Sequence, residues 1–243
     1  MAKSSKKSKV KKPLKKTEFY TERIKSGIPG LDNLISGGFL RGQNIIITGP
    51  AGAGKTIFSC QFIWEGLKNG EKCMYITFEE IPEEIKKDAL SFGWDLEKYE
   101  KSGKLILTHK DPFQTTDITT RLQNEIIQSD ITRVVIDSIS LLGLYFKDTH
   151  EIRRELYKLI CALKSTNVTA VMTAETREGI DFAPRFGVEE YVADASIILF
   201  FSGIGESGFR SIQVRKMRNT KHSTNTHPFE ITKNGIIIHK SEI

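Results

Sequence analysis

The stretch QNIIITGPAGAGKTIFSCQFIWEGLK at residues 43–68 carries the clearest structural pattern in the chain. Residues 43–48 are mostly apolar and β-branched, which predicts a buried strand. Residues 56–68 place apolar side chains at helical spacing, at Ile57, Phe58, Phe62, Ile63 and Leu67. Between them, residues 49–56 read GPAGAGKT and fit the pattern GxxxxGK followed by Ser or Thr. A strand, a glycine-rich loop and a helix in this order predict a loop that binds phosphate groups.

The residue types of this loop match the chemistry of ATP bound with Mg²⁺. Glycines at 52 and 54 allow successive backbone N–H groups to curl around an anion, and the following helix presents its positive end. The Lys55 ammonium is expected to reach the β- and γ-phosphates, and the Thr56 hydroxyl to bind Mg²⁺. The predicted nucleotide-binding residues are Gly49, Pro50, Ala51, Gly52, Ala53, Gly54, Lys55 and Thr56.

Outward from the loop, short apolar runs alternate with helical patterns. Strands are predicted at 73–78, 104–107, 133–136 and 168–172, and helices at 82–92, 117–128 and 150–164. Buried strands separated by helices predict an α/β fold with a mostly parallel, twisted sheet flanked by helices. The runs at 195–201, 211–217 and 235–239, with a connection at 203–208, predict antiparallel strands on the C-terminal side.

An acid ends the apolar strand at residues 133–137. In proteins with a phosphate loop, a carboxylate on the neighbouring strand orients Mg²⁺ or its water. Asp137 is therefore predicted to join Thr56 as a metal ligand. The alternative is that Asp137 caps the turn that follows it.

Two adjacent acids, Glu79 and Glu80, follow the predicted strand at 73–78. One of them could orient or deprotonate the water that attacks the γ-phosphate. Alternatively, both could simply interact with the positive end of the helix that begins near Pro82. Because neighbouring strand residues point to opposite faces, we do not expect both acids to touch the same water.

Two cations lie close together near the end of the run RSIQVRKMR at residues 210–218. Strict alternation would place Ile212, Val214, Lys216 and Arg218 on one side of a strand. Like charges in this arrangement repel unless an anion lies between them. Because Lys55 already serves the phosphate site of its own subunit, Lys216 and Arg218 are candidates for the nucleotide of a neighbour. The alternative is a solvated basic strand end.

The positive charge of the chain is concentrated in its first 16 residues. This segment holds eight lysines and no acid, and we expect residues 1–17 to be disordered. Without these lysines, 28 of the 36 basic residues remain against 30 acidic residues, a net charge of −2 compared with +6 for the whole chain. Nonspecific contact with nucleic acid is therefore assigned to residues 1–16.

Other features exclude several classes of protein. No apolar run approaches the roughly 18 residues that span a bilayer, and no apolar stretch follows the lysines as in a secretory signal. Neither a membrane partner nor secretion is expected. The three cysteines, Cys60, Cys73 and Cys161, form no CxxC pair, and we expect them to be buried free thiols. These features predict a cytoplasmic protein.

Several of these stretches together resemble the KaiC-like ATPases of the RecA/RadA superfamily, in a single-domain form. They are SGIPGLDNLISGGFLRGQ (26–43), GPAGAGKT (49–56), YITFEE (75–80), VVIDSIS (134–140), FGVEEYVADASIIL (186–199) and VRKMRNTKHS (214–223). The resemblance implies a RecA-like ATPase domain over residues 18–243. It also implies a ring, commonly a hexamer, that binds ATP between its subunits.

The resemblance further implies roles for individual residues. Glu79 would activate the attacking water, and Glu80 would support it. Lys216 and Arg218 would reach the γ-phosphate bound by the neighbouring subunit. His222 lies in the same segment and is predicted to contact the nucleotide.

One departure from the family concerns self-phosphorylation. In the clock protein that gives the family its name, one of two tandem domains phosphorylates itself on adjacent Ser and Thr residues. The matching residues 188–192 read VEEYV here, so autokinase activity is not expected. The sequence favours a slow, Mg²⁺-dependent ATPase that regulates a partner protein. The alternatives are a RadA-like recombination accessory that binds DNA, and a module that senses ATP without hydrolysing it.

Overall fold

A nine-stranded sheet with helices packed on both faces forms the centre of the computed structural model. The structure describes residues 22–110, 118–142, 146, 148–176, 187, 189–202 and 209–240. The predicted tail at 1–17 and the predicted connection at 203–208 lie outside these residues. Within the described ranges, no helix is both long and apolar enough to cross a membrane.

Eleven strands and seven α-helices make up the described part of the chain. The strands are β1 (Arg23–Ile24), β2 (Phe39–Leu40), β3 (Asn44–Gly49), β4 (Cys73–Thr77), β5 (Leu105–His109), β6 (Arg133–Asp137), β7 (Thr169–Glu175), β8 (Ala195–Ser202), β9 (Phe209–Met217), β10 (Thr226–Thr232) and β11 (Gly235–Ile238). The helices are α1 (Leu31–Leu34), α2 (Lys55–Lys68), α3 (Pro82–Ser91), α4 (Leu96–Lys101), α5 (Ile118–Gln128), α6 (Thr149–Ser165) and α7 (Glu189–Val192).

The order of the strands confirms the predicted architecture. Across the sheet the order is β11-β10-β9-β8-β3-β7-β6-β4-β5. All pairs from β8 to β5 are parallel, and the pairs from β8 to β11 are antiparallel. Since β3 lies between β7 and β8, its carboxyl end is in the middle of the sheet edge, where neighbouring parallel strands also end.

Strand β10 was not predicted from the sequence. Its residues alternate polar and apolar, but Pro228 interrupts the pattern, and proline is normally excluded from central strands. The strand nevertheless pairs with β9 on one side and β11 on the other, with Pro228 opposite Ser211. Hydrogen bonding to β9 and β11 therefore stabilises this segment as a strand, although its own sequence favours a strand only weakly.

Two apolar clusters lie on opposite faces of the sheet. One contains the buried side of α2, and the other contains the buried sides of α5 and α6. Two residues of the predicted helices, one of them a cysteine that was expected to be buried, lie outside these clusters. Ile127 is 60% exposed, and Cys161 is exposed, whereas Cys60 and Cys73 are buried as predicted. Each exception follows a buried residue directly, and one helical step of about 100° turns it away from the core.

A bulge in β9 makes the predicted alternation of this strand wrong. Val214 lies opposite Ile197, but Lys216 lies opposite Ser196, so Arg215 is an extra residue. An extra residue inverts the faces of everything that follows. Met217, rather than Lys216, therefore continues the buried side of Ile212 and Val214. Lys216 points to the opposite face of the sheet.

A buried ion pair ties the amino-terminal segment to the sheet. Arg133 on β6 is 1% exposed, and its guanidinium donates to both Glu71 carboxylate oxygens at 2.8 and 2.9 Å. The same guanidinium donates to the carbonyl oxygens of Lys25 and Phe62. Burial alone would raise the pKa of Glu71, but the hydrogen bonds and charge of Arg133 outweigh it, and the pKa lies below its ordinary value.

We expect Glu71→Ala to lower the free energy of unfolding by about 3 kcal/mol, because it leaves the Arg133 guanidinium buried without a counter-charge. The measurement is urea unfolding at neutral pH. In the parent, this contribution is present above the unfolded-state pKa of about 4.3 and is lost as the pH falls through the lower folded-state pKa. The control is Glu97→Ala, which removes a solvent-exposed pair with Lys101 and should have no measurable effect. Equal losses for both variants would contradict the prediction.

Candidate functional site

The predicted phosphate loop connects β3 to α2 at the carboxyl edge of the sheet. Gly52 and Gly54 have φ angles of 75° and 98°, a backbone region that other residues rarely adopt. The Lys55 ammonium donates to the carbonyl oxygens of Gly49 at 2.9 Å and Pro50 at 3.0 Å. The side chain thus lies back across the loop, over the place where the loop backbone would enclose an anion.

Lys55 is a partly desolvated cation among carboxylates. Burial lowers the pKa of Lys55, and the negative charges of Glu175, Asp137 and Glu79 oppose this effect. A cation that has lost part of its hydration interacts strongly with an incoming anion. Lys55 is therefore well placed to bind phosphate.

Asp137 ends β6 beside the loop and is almost completely buried. Its Oδ2 atom accepts hydrogen bonds from the Thr56 hydroxyl at 3.0 Å and the Tyr75 hydroxyl at 2.7 Å. Its Oδ1 atom accepts a hydrogen bond from the Thr173 hydroxyl. The two predicted metal ligands, Thr56 and Asp137, are therefore in direct contact.

This pair fits Mg²⁺ in the manner of phosphate-loop enzymes. Mg²⁺ prefers oxygen ligands and commonly uses one or two protein groups together with substrate phosphates and water. In the described part of the chain, no group of three or more His, Cys, Asp or Glu side chains could hold a metal ion. A metal ion at Thr56 and Asp137 would therefore depend on the nucleotide for its remaining ligands.

The adjacent acids Glu79 and Glu80 occupy different environments. Strand β4 ends at Thr77, whose hydroxyl accepts hydrogen bonds from both glutamate N–H groups and donates to the Glu80 carbonyl. Glu79 is exposed, and its Oε1 atom accepts a hydrogen bond from the Ser138 hydroxyl at 2.5 Å. Since Ser138 directly follows Asp137, this contact holds Glu79 beside the candidate metal site and open to water.

Glu80 is directed toward the interior. Its Oε2 atom is buried and has no hydrogen-bond partner among the residues that the structure describes. Burial raises the pKa of Glu80, and the negative charges of Asp137 and other nearby acids raise it further. The two carboxylates therefore do not share one position, which agrees with the expectation that they would not contact the same water.

The predicted cations lie at the other edge of the sheet. Lys216 donates to the carbonyl oxygens of Glu190 at 2.7 Å and Ala193 at 2.9 Å. Arg218 lies 3.7 Å from an Asp194 carboxylate oxygen, and half of its side chain is exposed. Burial, followed by the charge of Arg218, lowers the pKa of Lys216.

His222 belongs to the same edge, in the connection between β9 and β10. Its ring is 3.1 Å from the Ser223 carbonyl oxygen, and the Ser223 N–H donates to the Leu34 carbonyl. The structure therefore places Lys216, Arg218 and His222 away from the phosphate loop.

Two residues near the loop were not identified from the sequence. Glu175 ends β7 directly opposite Gly49, and an apolar strand that ends in an acid is the same pattern that identified Asp137. Arg210, the second residue of β9, donates to the Gly52 carbonyl at 3.2 Å and lies over the Phe201 ring at 4.3 Å. No local pattern distinguishes Arg210, because its position depends on how β9 pairs with β8.

Comparisons with known proteins agree on one family. A family model described as the KaiC ATPase matches residues 24–243. The circadian clock protein KaiC3 of Synechocystis is 34% identical over 229 residues, which cover 89% of this chain and 45% of that protein. The clock oscillator protein KaiC of Synechococcus elongatus is 35% identical over 227 residues, which cover 89% of this chain and 44% of that protein. The chain thus spans about half the length of these curated relatives.

A solved structure matches over nearly the whole length of both chains. The crystal structure of a KaiC-like protein from the hyperthermophilic archaeon Pyrococcus horikoshii superposes with a TM-score of 0.81 and is 37% identical. The match covers 90% of this chain and 99% of that one.

We expect Lys55→Ala to weaken nucleotide binding by about 10²-fold, the scale of losing hydrogen bonds between a charged donor and an anion. The measurement is a titration with a fluorescent ADP analogue. The matched control is Lys68→Ala at the other end of α2, where the lysine pairs with Glu65, and its affinity should equal that of the parent. A Lys55→Ala protein that binds as tightly as the parent would show that the loop is not the nucleotide site.

Proposed function

Because the chain belongs to the KaiC ATPase family, we propose that it hydrolyses ATP to ADP and phosphate with Mg²⁺, at sites between the subunits of a ring-shaped homo-oligomer. The observation that carries this proposal is the grouping of Lys55, Thr56, Asp137 and Glu79 at one edge of the sheet. A hexamer is the ring that we propose.

The residues of one subunit bind the nucleotide and prepare the water. The loop backbone and Lys55 hold the phosphates, while Thr56 and Asp137 hold Mg²⁺, which neutralises charge on the β- and γ-phosphate oxygens. Glu79 is exposed and fixed by Ser138, so it can accept a proton from the attacking water at a carboxylate oxygen. Glu80 supports this role from its more buried position.

The second half of the site comes from the neighbouring subunit in this proposal. Arg210 contacts the phosphate loop at one end of β9, and Lys216 lies near the other end. Six residues of extended strand measure roughly 20 Å, so Lys216 and Arg218 do not reach the nucleotide of their own subunit. The exposed half of the Arg218 side chain can instead stabilise charge on the γ-phosphate of the next subunit.

The location, the partner and the contact with nucleic acid complete the proposal. Cys60 and Cys73 are buried and form no disulfide bond, which suits a reducing compartment, and we propose that the protein is cytoplasmic. The residues at 188–192 do not suit self-phosphorylation. The ATPase therefore acts by changing the conformation of the ring, which a partner protein recognises. The lysines of residues 1–16 supply any contact with nucleic acid.

We expect Glu79→Gln to retain ATP binding and to lower phosphate release by about 10²-fold or more, the scale of a lost general base. Glu80→Gln should have a smaller effect, because its carboxylate faces the interior. The matched pair is informative because both variants remove one charge at neighbouring positions. A larger loss for Glu80→Gln would exchange the two proposed roles. Unchanged phosphate release for Glu79→Gln would mean that Glu79 is only a charged residue near the start of a helix.

We expect two inactive variants to restore activity when they are mixed. Glu79→Gln subunits retain Arg218, and Arg218→Ala subunits retain Glu79, so some interfaces in mixed rings contain both intact groups. Phosphate release should therefore recover in part under conditions that allow subunit exchange.

Two controls test whether the recovered activity comes from interfaces that contain both intact groups. Mixing Glu79→Gln with a Glu79→Gln, Arg218→Ala double variant should restore nothing, because no subunit then carries the glutamate. Native mass measurement with ATP and Mg²⁺ reports whether rings form and exchange. If rings exchange and the first mixture stays inactive, Arg218 does not act across the interface.

A further inference from the structure

Tyr75 is a completely buried tyrosine whose hydroxyl reaches the candidate metal site. It lies on β4, which pairs directly with β6, and Thr77 of the same strand is opposite Asp137. The Tyr75 hydroxyl extends toward the carboxyl edge and donates to Asp137 Oδ2 at 2.7 Å. The aromatic ring belongs to the apolar cluster on the α2 side of the sheet.

The Tyr75 hydroxyl donates to Asp137 from inside the sheet. A tyrosine hydroxyl carries one proton that it can donate, and Asp137 Oδ2 accepts it here. The buried Cys60 thiol on α2 neighbours Tyr75 in the same apolar cluster. The tyrosine thus lies between the helix that follows the phosphate loop and Asp137.

The three donors to Asp137 differ in what they would do when a metal binds. Thr56 is itself a predicted ligand, so its hydroxyl has a second role at the metal. Tyr75 and Thr173 lie on strands of the sheet and have no such role. Thr173 donates to Oδ1, which leaves Tyr75 as the donor from the sheet to Oδ2.

We propose that Tyr75 is the positioning residue that fixes the Asp137 carboxylate for Mg²⁺ at the ATPase site. The inference rests on the proposed function, because it needs a metal held by Thr56 and Asp137. Hydrogen-bond partners of metal-binding carboxylates orient them, and their loss typically costs 10- to 100-fold in metal affinity. Tyr75 would act on the metal only through Asp137 and would not touch the nucleotide.

The test is Tyr75→Phe, which removes the donor and retains the buried ring. Mn²⁺ serves as the probe, and free Mn²⁺ is measured by electron paramagnetic resonance in the presence of saturating ADP. We expect the affinity for Mn²⁺ to fall by at least about 10-fold. The affinity for a fluorescent ADP analogue in excess EDTA should stay within about 2-fold of the parent, because the phosphate loop is unchanged.

Cys60→Ala is the matched control. It removes a buried side chain from the same apolar cluster but leaves the Tyr75–Asp137 contact in place. Both variants are expected to lose some thermal stability, whereas only Tyr75→Phe should lose Mn²⁺ affinity. A purely structural role for Tyr75 would lower stability without this selective loss, and that result would overturn the proposal.

The remaining outcomes are also decisive. If Tyr75→Phe binds Mn²⁺ as the parent does, or weakens ADP binding equally with and without metal, Tyr75 does not position the metal site. Asp137→Asn tests the premise that Asp137 is a ligand of the metal. If the parent and Asp137→Asn bind Mn²⁺ equally, the assignment of the metal to Asp137 fails, and the inference about Tyr75 fails with it.

Discussion

The buried carboxylate of Asp137 is the constraint on which the arrangement of the site depends. A carboxylate that is removed from water must be matched by donors or charges, and here hydroxyls from β4, β7 and α2 supply the hydrogen bonds. These contacts fix the beginning of α2 relative to the carboxyl edge of the sheet. The phosphate loop precedes this helix, so the place of the loop beside the strand ends follows from the same network.

Much of this arrangement can be inferred from local sequence. Residues 49–56 follow an apolar strand and precede an amphipathic helix, and Asp137 ends an apolar strand, so the sequence predicts their places at the strand ends. Their neighbours were harder to infer. Nothing in the sequence near Tyr75 indicates that its hydroxyl meets Asp137, because that contact depends on which strands become neighbours. Glu175 ends an apolar strand as Asp137 does, so its place beside the loop follows the same local pattern.

The carboxyl-terminal strands show a different reason for error. Local alternation predicted the wrong face for Lys216, since a bulge at Arg215 cannot be recognised from residue types alone. Lys216 and Arg218 are nevertheless neighbours, since burial, followed by the charge of Arg218, lowers the pKa of Lys216. Strand β10 was missed for a related reason, since its partners β9 and β11 compensate for Pro228.

The bulge in β9 also constrains how this segment can change during evolution. Substitutions at Arg215 alter an exposed side chain and leave the register intact. Deletion of the same residue would shift Met217 to the opposite face of the sheet and bring Lys216 into the apolar cluster beneath α2. We therefore expect stronger selection on the number of residues in this strand than on the identity of its extra residue. Homologous chains should tolerate substitution at this position far more readily than insertion or deletion.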